Sequence, residues 1–257
     1  MKNKDLKRHF EAIGAKVKFH LTEKVRGRWD QSSDHFTIGI QVDKNGEYFD
    51  IVQGGDAPEF ELLQAQPKTQ HLLLYTKEGQ RFLCGHDERH WFVAAIGGKV
   101  STVRAAKQSL LPKAIWKQVK HLPPREVDNR RNAVFKRQGE WFFVKTNRKV
   151  PKSLIHKNEF LQRNGGSKSH ICQEIYREGG GLVYVVGHKE MDEKEYSKRK
   201  KSDPTFDKGK LKTFVRNPSV YARGYIKHED HATIRLECWH RVFINAEFTT
   251  SAVSFLD

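Results

Sequence analysis

The amino-acid sequence predicts an α+β protein with two β-rich, mainly antiparallel domains and a basic amphipathic helix near their junction. Short runs of β-branched and aromatic residues, separated by turn residues, recur on both sides of the middle of the chain. A long amphipathic stretch lies between them, and a Pro-Pro pair follows it. At 257 residues the chain is long enough to bury one large core or two smaller ones.

The N-terminal half is predicted to begin with a short helix and to continue as strands. The helix is indicated by the i, i+4, i+7 spacing of Leu6, Phe10 and Ile13. An Asn-Gly pair at positions 45–46 separates two β-rich runs and is typical of a hairpin turn. Further short strands are expected at 60–63, 71–75, 81–84 and 90–96. Together these elements predict an antiparallel sheet or a small barrel.

The middle of the chain is predicted to hold the basic helix and a linker. Apolar residues keep helical spacing from Val103 to Leu122, while lysines and arginines lie mostly off that stripe. Pro112 falls inside the pattern and predicts a kink, or a stop followed by a restart. The Pro-Pro pair and the polar residues after it predict a linker over 122–131. The two domains would then be 1–121 and 132–257.

The C-terminal domain is predicted to be a sheet with one charged helix. Two β-rich runs at 170–177 and 182–188 are joined by a glycine-rich turn, which predicts a hairpin. The charged helix is expected over 191–201. Other strands are expected at 134–144, 212–216, 220–228, 233–239, 241–245 and 252–256.

Positive charge is concentrated in one segment of the chain. The formal net charge is +16, and residues 99–168 hold 18 Lys and Arg against 4 Asp and Glu. Residues 1–98 are balanced at 14 against 14. Such a concentration between nearly neutral flanks indicates a surface that binds a polyanion.

The first functional hypothesis is therefore a nucleic-acid-binding protein that contacts mainly the phosphate backbone, with RNA or single-stranded DNA favoured. Aromatic residues alternate with cations over 134–151, a mixture that suits stacked bases and held phosphates, although strand alternation would bury part of the aromatics. No helix-turn-helix, zinc finger, KH loop or RRM motif is present. The predicted nucleic-acid-binding residues are Arg104, Lys107, Lys113, Lys117, Lys120, Arg130, Arg131, Lys136, Arg137, Trp141, Lys145, Arg148 and Lys149.

Two other functional hypotheses fit the same sequence. The first is a nuclease or other phosphoryl-transfer enzyme with a catalytic group formed by His228, His231, His240 and Lys227. One imidazole would accept a proton, another would donate one, and the lysine would stabilise phosphorane charge. The two acidic residues between His228 and His231 could instead help to hold a divalent metal, and polar turn tips are common without any such role. The second is an interaction module for an acidic protein partner, which a basic surface fits equally well.

Zinc or another divalent metal is the one cofactor for which the sequence offers candidate ligands. At a predicted hairpin tip these are Cys84, His86 and His90, although their spacing matches no standard zinc module. The open end of the hairpin predicted over 170–188 gives a weaker candidate, formed by His170, Cys172 and His188. The three cysteines form no CxxC pair, so no disulfide framework is expected.

The sequence favours a cytoplasmic protein that is not attached to a membrane. The first residues contain no apolar run of signal-peptide length. No window approaches the 18 apolar residues of a membrane span. The oligomeric state has no signature in the sequence.

Overall fold

A computed structural model describes residues 3–21, 36–53, 60–163, 168–209, 211–216, 218–247 and 253–254. The predicted fold class is confirmed: the chain is α+β, rich in strand and mainly antiparallel. Among the described helices, none has the length and apolar character needed to cross a membrane.

The described part of the N-terminal half folds into one α-helix and seven strands. They are α1 (Asn3–Ala12), β1 (Val17–Leu21), β2 (Phe36–Asp43), β3 (Gly46–Gln53), β4 (Phe60–Gln66), β5 (His71–Thr76), β6 (Arg81–Asp87) and β7 (His90–Ala95). The predicted Asn-Gly turn joins β2 to β3, and Gly46 has a φ of 99° that favours glycine. β1 pairs in parallel with β3, whereas β4 to β7 form an antiparallel meander.

The two N-terminal sheets pack face to face around an aromatic centre. The ring of Phe36 meets those of Phe60 and Phe82 edge to face, with centroids 5.1 and 5.4 Å apart. Leu6 and Phe10 extend this core onto α1, so the spacing that predicted the helix is also the face that it buries. This packing makes the meander a firm support for the tip of the β6–β7 hairpin.

Three short helices follow the meander, α2 (Val103–Ser109), α3 (Lys113–Val119) and α4 (Pro124–Asp128). Pro112 stands immediately before α3, so the chain stops and restarts there. α2 packs on the outer face of the meander, and Leu110 belongs to that core. Leu111 belongs to another core, in which α3 and α4 cover the next sheet. The three helices therefore connect the N-terminal sheets to the C-terminal sheet.

Half of the segment predicted as a linker forms the short helix α4. Pro123 is the N-cap of α4 and Pro124 is its first residue. Proline is tolerated there because the N–H groups of the first helical turn make no hydrogen bond within the helix. Val127 is buried against Phe135 and Phe142. Val127 thus anchors α4 to the C-terminal sheet, while most other residues of 122–131 are exposed.

The C-terminal half contains a six-stranded sheet and a three-stranded sheet. Its elements are β8 (Phe135–Gln138), β9 (Trp141–Lys145), β10 (His156–Leu161), β11 (His170–Glu178), β12 (Gly181–Val186), β13 (Lys189–Met191), α5 (Glu193–Ser202), β14 (Leu211–Arg216), β15 (Ser219–Lys227), β16 (Ile234–Ile244) and β17 (Val253–Ser254). The large sheet has the order β10-β11-β15-β16-β9-β8, and the small one β13-β12-β14. β17 joins β2 in parallel, so the last described strand lies in the first sheet.

The hairpin predicted over 170–188 is wrong. β11 pairs with β10 on one side and β15 on the other, which leaves it no free edge for β12. Gly179 and Gly180, with φ of 64° and 91°, turn the chain into the small sheet. His170 and Cys172 therefore do not face His188. The strands predicted at 233–239 and 241–245 are a single strand, β16.

Candidate functional site

A cavity of about 480 Å³ lies between the N-terminal sheets and the six-stranded sheet. Residues of β2, β3 and the β6–β7 hairpin line one side, and the β8–β9 turn and the β15–β16 connection line the other. His90, His228 and His231 face the cavity together with carboxylates and cations. A concave site with convergent polar groups is the usual form of a ligand site.

Three histidines form a compact cluster at this cavity. The ring centroids of His228 and His231 are 4.6 Å apart. His170 lies behind them with 1% exposure, and its ring centroid is 4.2 Å from that of His228 and 5.9 Å from that of His231. Each histidine offers a ring nitrogen, and these atoms lie within 4.8 Å of one another.

The β8–β9 turn holds the connection that carries His228 and His231. The Gln138 side-chain Nε2 donates to the carbonyl oxygens of Ala232 at 2.6 Å and Ile226 at 3.4 Å. Gly139 has a φ of 56°, and a Cβ there would lie 2.9 Å from His231 Nε2. The turn can approach the imidazoles this closely because residue 139 has no side chain.

Burial keeps all three imidazoles neutral near pH 7. Desolvation lowers the pKa of His170 to about 3, and the neighbouring rings of His228 and His231 add to the effect. Desolvation also lowers the pKa of His228 and of His231. The cluster therefore presents lone pairs rather than positive charge.

Glu88 connects the N-terminal hairpin tip to this cluster. Its carboxylate pairs with Arg130, and its Oε2 lies 3.2 Å from His231 Nδ1. A carboxylate paired with arginine accepts hydrogen bonds, so Nδ1 carries the proton and Nε2 keeps the lone pair. Glu88 has a φ of 41°, in the left-handed region that residues with a Cβ rarely adopt, and such conformations are often found at functional sites.

Carboxylates on the cavity wall are held in contrasting ways. Burial raises the pKa of Glu140, and its Oε1 has no hydrogen-bond partner within the described ranges. Glu247 Oε2 accepts from Arg163 at 2.7 Å. Asp230 lies 3.0 Å from Lys168 Nζ and 3.7 Å from His90 Nε2. The cavity thus combines paired charges with one carboxylate that burial inclines to hold a proton.

Of the four residues predicted as a catalytic group, the structure brings His228 and His231 together. His240 lies along β16, roughly 20 Å from the strand's start at about 3.3 Å per residue, and its Nδ1 is 2.7 Å from Cys238 O. Lys227 is exposed at the end of β15 and does not line the cavity. The cation that does line the cavity beside His228 is Lys168.

The structure separates the three residues predicted as a metal site at the β6–β7 tip. His86 pairs with Trp91, and His90 pairs with Asp87. Neighbouring pairs of a hairpin point to opposite faces, so His86 and His90 do not converge. Cys84 is fully buried in the N-terminal core, and burial raises the pKa of its thiol.

The predicted nucleic-acid-binding residues divide by their surroundings. Trp141 is 7% exposed within the core of the six-stranded sheet, so it cannot stack on a base as predicted. Arg130 and Arg137 turn toward Asp87 at the cavity, and Arg148 pairs with Glu178. Lys107 is half-buried, and Lys136 is half-buried with its Nζ donating to a backbone carbonyl. Among the described residues, no carboxylate pairs with Arg104, Lys113, Lys117, Lys120, Arg131, Lys145 or Lys149, all of them exposed.

Sequence reasoning missed part of this site. His170 was predicted to lie near His188, and nothing in the sequence connected Gln138 or Gly139 to the histidines. The partners of both come from strands distant in sequence, and no local pattern encodes that proximity. Comparisons with protein-family models, curated proteins and solved structures gave no match to this chain.

Proposed function

We propose that the protein binds nucleic acid through a basic surface, defined as the exposed cations on and beside α2 to α4: Arg104, Lys113, Lys117, Lys120 and Arg131. The observation that carries the proposal is a stripe of three lysines on α3. Lys113, Lys117 and Lys120 follow i, i+4, i+7 spacing, and Ile115 and Val119 on the opposite side are fully buried. The buried side fixes the helix, so the lysines face solvent in a fixed orientation.

Free cations in a fixed row suit a phosphate backbone. Neutralised phosphates release counterions, which is the main source of affinity in sequence-tolerant binding. Since Trp141, Phe142 and Phe143 are buried, the aromatic residues of β9 offer no stacking surface. The proposal is accordingly backbone contact with little sequence preference, with RNA or single-stranded DNA as the favoured ligand.

A small groove between α2 and α4 shares one cation with the cavity. The groove is lined by Lys107, Asp128, Phe135 and Arg137. Arg137 also lines the large cavity. Lys107 and Arg137 thus add two cations beside the helices, and Arg137 also lines the cavity with the histidine cluster.

The test is fluorescence anisotropy with short single-stranded RNA, single-stranded DNA and duplex DNA over a salt series. If about five phosphates are neutralised, log affinity should fall with log salt with a slope of about −3.5 for single strands and about −4.5 for a duplex. The triple variant of Lys113, Lys117 and Lys120 to Glu should lose most of the binding.

A matched control variant exists on α5. Lys194, Lys198 and Lys201 are also exposed and have the same spacing, on a helix that carries acidic residues. Their change to Glu alters net charge equally, so binding should weaken far less than in the α3 variant. Equal losses in the two variants, or no salt-dependent binding by the unmodified protein, would refute the proposal. Nuclease-resistant association with an acidic protein would then favour that partner.

A second candidate function, phosphoryl transfer in the cavity, is favoured by the positions of His228 and His231. A phosphodiester in the cavity would meet imidazole lone pairs together with Lys168 and Arg137. His228 and His231 are unprotonated near pH 7 and so are available as general bases, although a lowered pKa makes each a weaker base than a free imidazole.

Labelled RNA and DNA, incubated with and without EDTA, test this second candidate. His228→Ala and His231→Ala should each abolish cleavage, whereas His188→Ala, at an exposed histidine of the β12–β13 turn, should not. Cleavage that survives in both cluster variants would exclude the site.

A further inference from the structure

We propose that His170, His228 and His231 form a binding site for a transition-metal ion of the zinc type, with one imidazole nitrogen from each as the protein ligands. The sequence offered these histidines only in other combinations: His228 and His231 with the acidic residues between them, and His170 with Cys172 and His188. The structure brings the three together. The proposal does not depend on nucleic-acid binding or on cleavage, because a metal site can exist without either.

The first argument is distance. The available ring nitrogens lie within 4.8 Å of one another. Zinc holds imidazole nitrogens at about 2.0–2.1 Å in tetrahedral geometry, so the nitrogens of a bound site lie roughly 3.4 Å apart. The planes of the three rings lie 26–34° apart, so the rings must rotate to direct their in-plane lone pairs at a shared ion.

The second argument is the environment of His170. It is 1% exposed, and neither of its ring nitrogens has a hydrogen bond of normal geometry to any described residue. The backbone of Gln138 lies near the ring and can accept its N–H. The other nitrogen then has a buried lone pair without a partner, and a ring nitrogen of His170 lies within 4.8 Å of ring nitrogens of His228 and His231. Buried polar atoms without a partner are rare in folded proteins, and a metal ion would satisfy this one.

The third argument is the orientation of His231. Its Nδ1 is bound to Glu88, which leaves Nε2 as the ligating atom. The space beside Gly139 touches both Nε2 of His231 and Cε1 of His170, so Nε2 lies on the side of the ring that faces His170. A carboxylate on the far nitrogen of a metal-bound histidine is a common arrangement, because it fixes the tautomer and the ring orientation.

The third ligand, His228, changes partner on binding. Its Nδ1 accepts a hydrogen bond from the Asp230 backbone N–H at 3.1 Å. Ligation through Nδ1 would replace that bond with a metal bond. Imidazole nitrogens are favoured ligands of zinc and related ions.

The cavity supplies an open coordination position. His228 and His231 line it, whereas His170 closes the site from behind. Sites with three protein ligands and one free position are of the kind that binds water or a substrate oxygen. Glu140 lies on the same cavity wall with an unpartnered Oε1, where it can accept or donate a proton next to that position.

The experiment is a titration of the full chain, without an affinity tag, after removal of metal with a chelator. Zn²⁺ binding is measured by calorimetry, and Co²⁺ binding by its visible spectrum. We expect one ion per chain. His170→Gln and His231→Gln should each weaken Zn²⁺ binding by more than tenfold, and Glu88→Gln by about tenfold through loss of orientation. His121→Gln and His188→Gln, at exposed histidines, serve as controls and should bind as the unmodified protein does.

Two outcomes would overturn the proposal. The first is absence of stoichiometric binding by the unmodified protein. The second is unchanged affinity in a folded His170→Gln variant. Should His170→Gln fail to fold by circular dichroism, His231→Gln decides in its place, since its side chain is partly exposed. An equal loss of affinity in the surface controls would indicate scattered surface histidines and would also refute the site.

Discussion

Replacing Gly139 with alanine should destabilise the protein far more than the same change at Gly187. Both glycines have a left-handed backbone, with φ of 56° and 64°. A Cβ at Gly187 meets no atom within 4 Å, whereas one at Gly139 lies 2.9 Å from His231 Nε2. The pair therefore separates the conformational cost from the cost of the close approach.

The expected magnitudes follow from these two contributions. The left-handed backbone costs an alanine about 1–2 kcal/mol at either position. At Gly139 the methyl group would also push against the His231 ring, whose Nδ1 is hydrogen-bonded to Glu88, and overpacking of this kind costs about 1–3 kcal/mol. Gly139→Ala should lose about 2–5 kcal/mol in total. At about 3 °C per kcal/mol for a chain of this size, its melting temperature should fall by about 6–15 °C.

Urea unfolding and thermal melts of the two variants measure the difference. Adding His231→Ala to Gly139→Ala should recover most of the excess loss, because the atom in the way is removed; a double-mutant cycle gives the coupling energy. Equal loss of stability at the two glycines, or no coupling to His231, would show that the β8–β9 turn does not press on the cluster. The reasoning about the cavity wall would then be wrong.

Three further predictions concern stability. Desolvation lowers the pKa of His71 from 6.5 to about 4. Between pH 6.5 and pH 4 the unfolded state therefore binds more protons than the folded state, and the free energy of unfolding should fall as pH drops through this range. The contribution of His71 to that fall should be about 3 kcal/mol. His71→Gln should flatten urea-derived stability over that range, and an unchanged slope would contradict the assignment. Gly85→Ala should lower the free energy of unfolding in urea by about 1–3 kcal/mol, because its Cβ would lie 2.4 Å from the His71 ring. Gly181→Ala, where a Cβ meets no atom within 4 Å, should lower it little. Similar losses in the two variants would refute the clash. Asp192→Ala should lower the free energy of unfolding by about 1 kcal/mol, because it removes the N-cap hydrogen bond from the Glu195 amide at 2.8 Å. Ser197→Ala within α5 is the control. No loss in Asp192→Ala would mean that the cap does not stabilise the helix.

Local sequence signals predicted the elements that local interactions stabilise. Leu6 and Phe10 form the buried face of α1, and the Asn-Gly pair forms the turn of the β2–β3 hairpin. Pro112 separates α2 from α3. In each case the residues that determine the structure are neighbours in the chain. The α+β class followed from adding such signals.

Long-range pairing was beyond the sequence signals. The runs that form β11 and β12 have ideal hairpin spacing, yet β15 occupies the edge that β12 would need. The same pairing brings His170 next to the connection after β15, so the error about the hairpin and the missing third histidine have one cause. Alternation predicted that part of the β9 aromatics would be exposed, yet both faces of the strand are covered: Trp141 and Phe143 lie in the core of the six-stranded sheet, and Phe142 lies under α3 and α4.

Leu110 and Leu111 are adjacent in the chain but enter different cores, and this determines where the protein can be divided. A cut at the predicted linker would leave α3 on the N-terminal fragment, with Ile115 and Val119 stripped of the β8–β9 surface that covers them. A cut between Leu110 and Leu111 would leave each leucine with its own core. Fragments intended for separate expression and later reassembly should therefore be divided there; the C-terminal piece then holds the lysine stripe and also β17, a strand of the first sheet.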